Sequence, residues 1–228
     1  MLYNALNKTL GVIFLKNNAI IIGDSYSTFK GHVPEGYVIY YSESREDSDV
    51  KDVSATWWHQ VIKEAGLNLV LNNGWSGSTI GYTGYNNTDC SSSSSFIYRF
   101  KKLAENGFFD KNEIDTVFIF GGTNDSWSNA PLGEIKYDGI EESDLYCVLP
   151  AICYFLQLVR ETLPKAKIYC LINTDIKAAI TSCLGEASER YGIEPIRFER
   201  IDKINSHPTA QGMKDIKNGV LAVLRKGE

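Results

Sequence analysis

The chain has 228 residues, and its 23 Lys+Arg set against 28 Asp+Glu give a formal charge of −5. A chain this long buries about 70% of the surface its unfolded form exposes, so it can hold a core without disulfide or metal staples. With 43% apolar and 22% charged residues it is neither disordered nor collagen-like; the acidic balance argues against a nucleic-acid partner, and no apolar run approaches the ~18 residues of a membrane span.

Residues 10–15 form a short apolar run after Lys8, but Lys16, Asn17 and Asn18 break it and no A-x-A site follows. It does not read as an intact signal peptide. Residues 1–18 read as an N-terminal extension of one domain spanning 1–228. The compartment stays open between cytoplasmic and exported with a trimmed leader. Residues 19–23 (AIIIG) are apolar throughout, as a strand buried on both faces should be. Residues 42–52 are polar and mostly acidic, the composition of a solvated loop. Val53, Trp57, Val61 and Ala65 recur at helical spacing, with His59 inside the same helix. Residues 67–71 give a second strand, and Phe96, Phe100 and Leu103 a helix stopped by Gly107. Residues 116–120 give a third strand, and 145–163 a helix with Pro150 near its start or at a kink. A fourth strand at 167–172, a helix at 176–191 closed by Gly192, and a weaker fifth strand at 194–198 follow. The helix at 209–224 closes the chain with Met213, Ile216, Val220 and Val223 on one face. The five cysteines show no C-x-x-C pair and are odd in number, so reduced and mostly buried thiols are expected.

Strands that alternate with helices mean βαβ units and a parallel sheet covered on both faces. The predicted fold is therefore α/β, a three-layer α/β/α sandwich of about five parallel strands with flavodoxin-like architecture. In such sheets ligands sit beyond the carboxyl ends of the strands. Gly23-Asp24-Ser25 follows the first strand, Asn72 to Thr79 (NNGWSGST) the second, and Gly121-Gly122-Thr123-Asn124-Asp125 the third, while His207-Pro208 precedes the last helix. These segments supply a hydroxyl, a glycine-rich turn, a side-chain amide and an imidazole. Those are the parts of an acyl-transfer site.

The G-D-S, N-x-G-x-S-G, G-x-N-D and late H-P segments resemble, in order and spacing, the four blocks of the SGNH (GDSL-type) hydrolase superfamily. The resemblance spans residues 23–208. It implies a serine esterase working through a covalent acyl-enzyme without cofactor. Ser25 matches the nucleophile, and His207 the general base. The backbone N–H groups of Ser25 and Gly77 and the Asn124 amide match the oxyanion donors. Asp24 and Asp125 read as hydrogen-bond acceptors that hold loops. One position departs from the family pattern. The family places an Asp three residues before the His, and here that residue is Ile204. Asp202 orients His207 as the third catalytic residue, or a backbone carbonyl does so in a Ser–His dyad, or a more distant acid such as Glu199 serves, or the site has no function.

Trp127, Tyr26 and Trp75 are the substrate-binding candidates, with Tyr82 and Tyr85 just beyond Trp75 and His32 in the loop after Ser25. Flat rings suit the apolar faces of sugars or an acyl chain. The family includes carbohydrate acetylesterases, lipases and thioesterases. A small-molecule ester, an acylated sugar above all, is the expected partner. A flavin-binding module, with Ser25, Ser27 and Thr28 around a phosphate, and a non-catalytic carbohydrate-binding descendant are the rivals. Three scattered histidines and unpaired cysteines offer no metal-ligand spacing.

Overall fold

A computed structural model describes residues 17–227, so the apolar run at 10–15 lies outside the described residues. Strands and helices alternate along the chain. Strand β1 (Asn18–Gly23) leads to helix α1 (Trp57–Glu64), β2 (Asn68–Gly74), α2 (Phe96–Glu105) and α3 (Phe108–Lys111). Then come β3 (Thr116–Gly121), α4 (Thr123–Trp127), α5 (Val148–Thr162), β4 (Lys167–Ile172), α6 (Ala178–Arg190) and β5 (Glu194–Arg197). A short hairpin of β6 (Lys203–Ile204) and β7 (His207–Pro208) precedes α7 (Ala210–Leu224).

The five long strands form one sheet in the order β2-β1-β3-β4-β5, every pair parallel. The apolar runs split by the two-residue period of a strand. Ile20, Ile22, Val117, Ile119, Ile168 and Cys170 face one core, under α2, α5 and α6. Ala19, Ile21, Phe118, Phe120, Tyr169 and Leu171 face the other, under α1 and α7. This is the three-layer sandwich expected from the sequence, and it explains why these strands read as unbroken hydrophobic runs.

The helix boundaries follow from local chemistry. Thr56 caps α1 through its hydroxyl on the His59 N–H, and Val53 sits in a separate 3₁₀ turn before it, so the expected helix starts later. Ser95 caps α2 and Thr209 caps α7. Pro150 lies in the first turn of α5, where its missing N–H costs no helical bond. All five cysteines are free thiols, four of them buried; Cys153 and Cys183 bring α5 and α6 together with their sulfurs 3.8 Å apart. Among the described residues no helix is long and apolar enough to cross a membrane.

Register places the site. Gly23 pairs with Gly74 of β2 and with Phe120 of β3, so three strands end level with one another. The segments after them start from one edge. The hairpin reaches the same edge, with Ile204 paired to His207 and a two-residue turn in which Asn205 and Ser206 have φ of 48° and 63°. Positive φ at both central residues matches the right-handed strand twist, and Asn tolerates it well.

Candidate active site

Ser25 opens a 3₁₀ turn at the end of β1, capped by Asp24, whose carboxylate accepts the Tyr26 N–H at 3.0 Å. The Ser25 side chain is nearly buried at 2% exposure, and its Oγ lies 3.1 Å from His207 Nε2. The other ring nitrogen, Nδ1, lies 3.0 Å from the Asn205 carbonyl. A carbonyl only accepts, so Nδ1 carries the proton and Nε2 presents a lone pair to the Ser25 hydroxyl. Burial, the largest influence, holds the His207 pKa below 6.5; the Asn205 carbonyl opposes it, and Arg45 adds to the lowering. The ring is thus kept as the free base.

Asp202 is not brought to the imidazole, and the expectation that it orients His207 is corrected. Its carboxylate accepts the Thr209 hydroxyl and meets Arg200 at 3.3 Å. The hairpin is the reason. The two-residue turn makes Ile204, the position of the expected aspartate, the cross-strand partner of His207, while Asp202 lies level with Thr209 and is bonded to its N–H through the backbone.

The turn after β2 is held from both sides. The Trp75 N–H donates to the Gly23 carbonyl at 3.1 Å, and the Ser78 hydroxyl donates to the Trp75 carbonyl at 2.7 Å. Gly77 has φ of +82°, backbone that favours glycine, and a β-carbon there would meet nothing within 4 Å, so the chain is open to approach at this position. Asn124 sits on α4, entered through Gly122 at φ of 89°. Its amide donates to the Ser78 carbonyl at 2.9 Å, and its Oδ1 accepts the Tyr85 hydroxyl at 2.9 Å. Those two bonds fix which way the amide points. Asp125 accepts the Ile80 N–H at 3.0 Å and the Gly81 N–H at 3.2 Å, which ties α4 to the β2 loop as expected of a loop-holding acceptor. Burial raises Asp24 to about 7 and Asp125 to about 6.

Several residues that build this edge were not singled out from the sequence. Arg99 of α2 is buried, and its guanidinium donates to the Gly23 and Asn73 carbonyls and to the Ser78 hydroxyl. Desolvation lowers its pKa to about 10. Lys203 anchors the hairpin, donating to Asn173 Oδ1 at 3.0 Å, to the Thr174 carbonyl and hydroxyl at 2.9 Å, and to Asp175 at 3.2 Å. Tyr40 stacks on the His207 ring. Arg99 falls on the helical period of an otherwise apolar face, an available signal; Lys203 and Tyr40 carry none.

The aromatic candidates divide. Trp127 is half-buried with its ring 6.0 Å from that of His207, and Trp75 packs against Tyr37 with centroids 4.3 Å apart and planes tilted by 44°. Tyr26 is corrected: it is fully buried, and its hydroxyl donates to the Ser206 carbonyl at 2.5 Å, so it supports the hairpin and cannot meet a substrate. Tyr82 is buried in the core, and His32 packs against Phe29 and Trp58. Ser27 and Thr28 are buried too, with the Thr28 hydroxyl bonded to the Ser25 carbonyl and the Tyr40 N–H, which removes the phosphate cradle a flavin would need. Among the described residues no group of three or more His, Cys, Asp or Glu could hold a metal ion.

A family model described as GDSL-like Lipase/Acylhydrolase matches residues 17–224. The chain belongs to this family. Two solved structures described as GDSL-like lipases, from Bacteroides ovatus ATCC 8483 and Bacteroides uniformis ATCC 8492, are 39% and 40% identical to it with TM-scores of 0.85. The alignments cover 92% of this chain and 99% and 96% of theirs. A family two carbohydrate esterase from Clostridium thermocellum, solved in complex with cellohexaose, shares the fold at a TM-score of 0.63 and 17% identity, over 92% of this chain and 64% of that one. A search of the curated proteins returned no match. The chain is thus an SGNH-type acyl hydrolase, and its parallel α/β sandwich is the fold of that superfamily.

Proposed function

We propose that this GDSL-type hydrolase is a serine esterase that removes a small acyl group, acetyl above all, from a carbohydrate by way of a covalent acyl-enzyme. The observation that carries the reading is the 3.1 Å approach of His207 Nε2 to Ser25 Oγ with Nδ1 held on the Asn205 carbonyl. Nε2 takes the hydroxyl proton as Oγ attacks the ester carbonyl carbon. The carbonyl oxygen gains the negative charge and rests on the N–H groups of Ser25 and Gly77 and on the second N–H of the Asn124 amide. As the carbon–oxygen bond to the alcohol breaks, His207 returns its proton to the departing oxygen. Water, deprotonated by the same nitrogen, then attacks the acyl-enzyme, and the acid leaves as Ser25 regains its proton.

The sugar part of the reading draws support from the cellohexaose-bound neighbour and from the half-buried rings of Trp127 and Trp75 at this edge. The second reading, a lipase or thioesterase of the same fold, draws support from the family's lipase members. Labelling with a fluorophosphonate, followed by mass spectrometry, tests the chemistry: modification at Ser25, absent in Ser25→Ala, is the expected result, and labelling elsewhere refutes it. Acetylated xylo- and cello-oligosaccharides against p-nitrophenyl esters of two to twelve carbons test the substrate. Preference for a long acyl chain would favour the second reading.

A further inference from the structure

We propose that Tyr40 is the positioning residue that sets the plane of the His207 imidazole, with Arg45 pinning Tyr40 from behind, in place of the missing carboxylate. The ring centroids of Tyr40 and His207 are 3.5 Å apart and their planes differ by 3°. The Arg45 guanidinium carbon lies 3.6 Å from the Tyr40 centroid. Two groups that close to one centroid must occupy opposite faces, so the order is guanidinium, phenol, imidazole.

The geometry gives the phenol a task the hydrogen bonds cannot perform. Bonds at Nδ1 and Nε2 hold two points of the imidazole and leave it free to tilt about the line between them. A flat face in van der Waals contact removes that tilt, and the lone pair on Nε2 stays aimed at Oγ. The stack is keyed to the nucleophile as well. The Tyr40 N–H donates at 2.8 Å to the Thr28 hydroxyl, which itself donates to the Ser25 carbonyl at 3.0 Å. Arg45 is fixed in turn by the Tyr40 carbonyl at 3.4 Å and by Asp47 at 2.8 Å. The charged and titratable groups facing His207 are Arg45 and Asp47 from this loop, Lys203 from the hairpin and the phenols of Tyr26, Tyr40 and Tyr41. Arg45 and Lys203 disfavour the imidazolium and Asp47 favours it, so the loop also trims the basicity of the ring.

Nitrogen-15 NMR of histidine-labelled protein tests this without turnover. There are three histidines, and His207→Asn assigns the signal. Wild type should show one neutral tautomer, protonated at Nδ1, and titrate below 6.5. Tyr40→Leu should keep that tautomer, which the Asn205 carbonyl sets, but free the ring to tilt, read as broadened His207 nitrogen signals and faster solvent exchange of the Nδ1 proton, and Tyr40→Phe, which keeps the flat face, should match wild type. Arg45→Gln, which unpins Tyr40, should broaden the same signals to a lesser degree and raise the titration midpoint. The kinetic arm rests on the esterase reading: Tyr40→Leu should lower kcat on p-nitrophenyl acetate at least about tenfold with KM within about twofold, the signature of a misaimed base. His207 signals as sharp, and an Nδ1 proton as slow to exchange, in Tyr40→Leu as in wild type overturn the proposal, as does a raised KM with kcat intact, which would make Tyr40 part of the substrate wall. If Tyr40→Leu fails to fold, Arg45→Gln decides, and unbroadened His207 signals with kcat unchanged overturn the proposal. A wild type that neither hydrolyses esters nor takes up the fluorophosphonate, yet shows the NMR changes, would remove the esterase reading and leave the ring positioning standing.

Discussion

The two halves of the site are built in different ways. Ser25, Gly77 and Asn124 sit on a platform made by the aligned ends of β1, β2 and β3, where backbone pairing fixes the spacing and buried Arg99 and Asp125 tie the loops together. His207 rides on a hairpin of two paired residues per strand with an exposed turn. Polar contacts hold it: its own Lys203 reaches to the end of β4, and the Tyr26 and Tyr41 hydroxyls reach in to the Ser206 and Pro208 carbonyls. The platform inherits its precision from the sheet, whereas the imidazole depends on a handful of polar contacts. The aim of the imidazole is therefore expected to be sensitive to hairpin residues that touch no substrate.

The largest change comes from the platform itself. Asn124→Ala should lower kcat by about 10²–10³, the usual cost of one oxyanion donor, with the melting temperature little altered. A drop of less than tenfold would remove Asn124 from the donor set. Lys203→Met attacks the hairpin alone and leaves Asn173 Oδ1 and the Thr174 carbonyl without their cation. Turnover should fall about tenfold with ~1–3 kcal/mol of stability lost, since a buried acceptor loses its donor. Equal activity in this variant would erase the contrast between the two halves.

The pH profile sharpens it. His207 must be neutral to act and its pKa is lowered, so kcat/KM should rise with pH through a midpoint below 6.5 and stay flat above it. A midpoint above 6.5 would mean that a carboxylate faces the ring after all. Asp202→Asn should change kcat by no more than about threefold, since its carboxylate meets Thr209 and Arg200 and not the imidazole. A loss comparable to that in His207→Ala would restore the triad.

The fold was readable because buried parallel strands advertise themselves: AIIIG, TVFIF and KIYCLI are apolar on both faces, and caps and glycines mark the helix ends. The platform residues were readable for the same reason, since each follows a recognisable strand. The hairpin was not. Two paired residues per strand are too few for a period, and Asn205-Ser206 lacks the glycine that usually signals such a turn. With the hairpin unseen, Asp202 looked near enough to serve. Tyr26 adjoins the nucleophile in sequence, but it follows a buried strand end, so its ring turns into the core rather than toward the opening. Tyr40 and Lys203 meet their partners across gaps of 167 and 29 to 30 residues, and no local pattern reports such a meeting.

The acceptor at His207 Nδ1 has one more consequence. Asn205 offers a neutral oxygen where a triad offers an anion. In the proposed mechanism the serine–histidine pair is uncharged before attack, and proton transfer turns it into a zwitterion, positive on the ring and negative on the former ester oxygen. Both charges arise within a few ångströms of each other and attract at short range. Added electrolyte screens poorly over such distances. Turnover should therefore hold nearly constant from dilute buffer to molar salt, a tolerance that follows from building the charge pair inside the reaction instead of importing half of it.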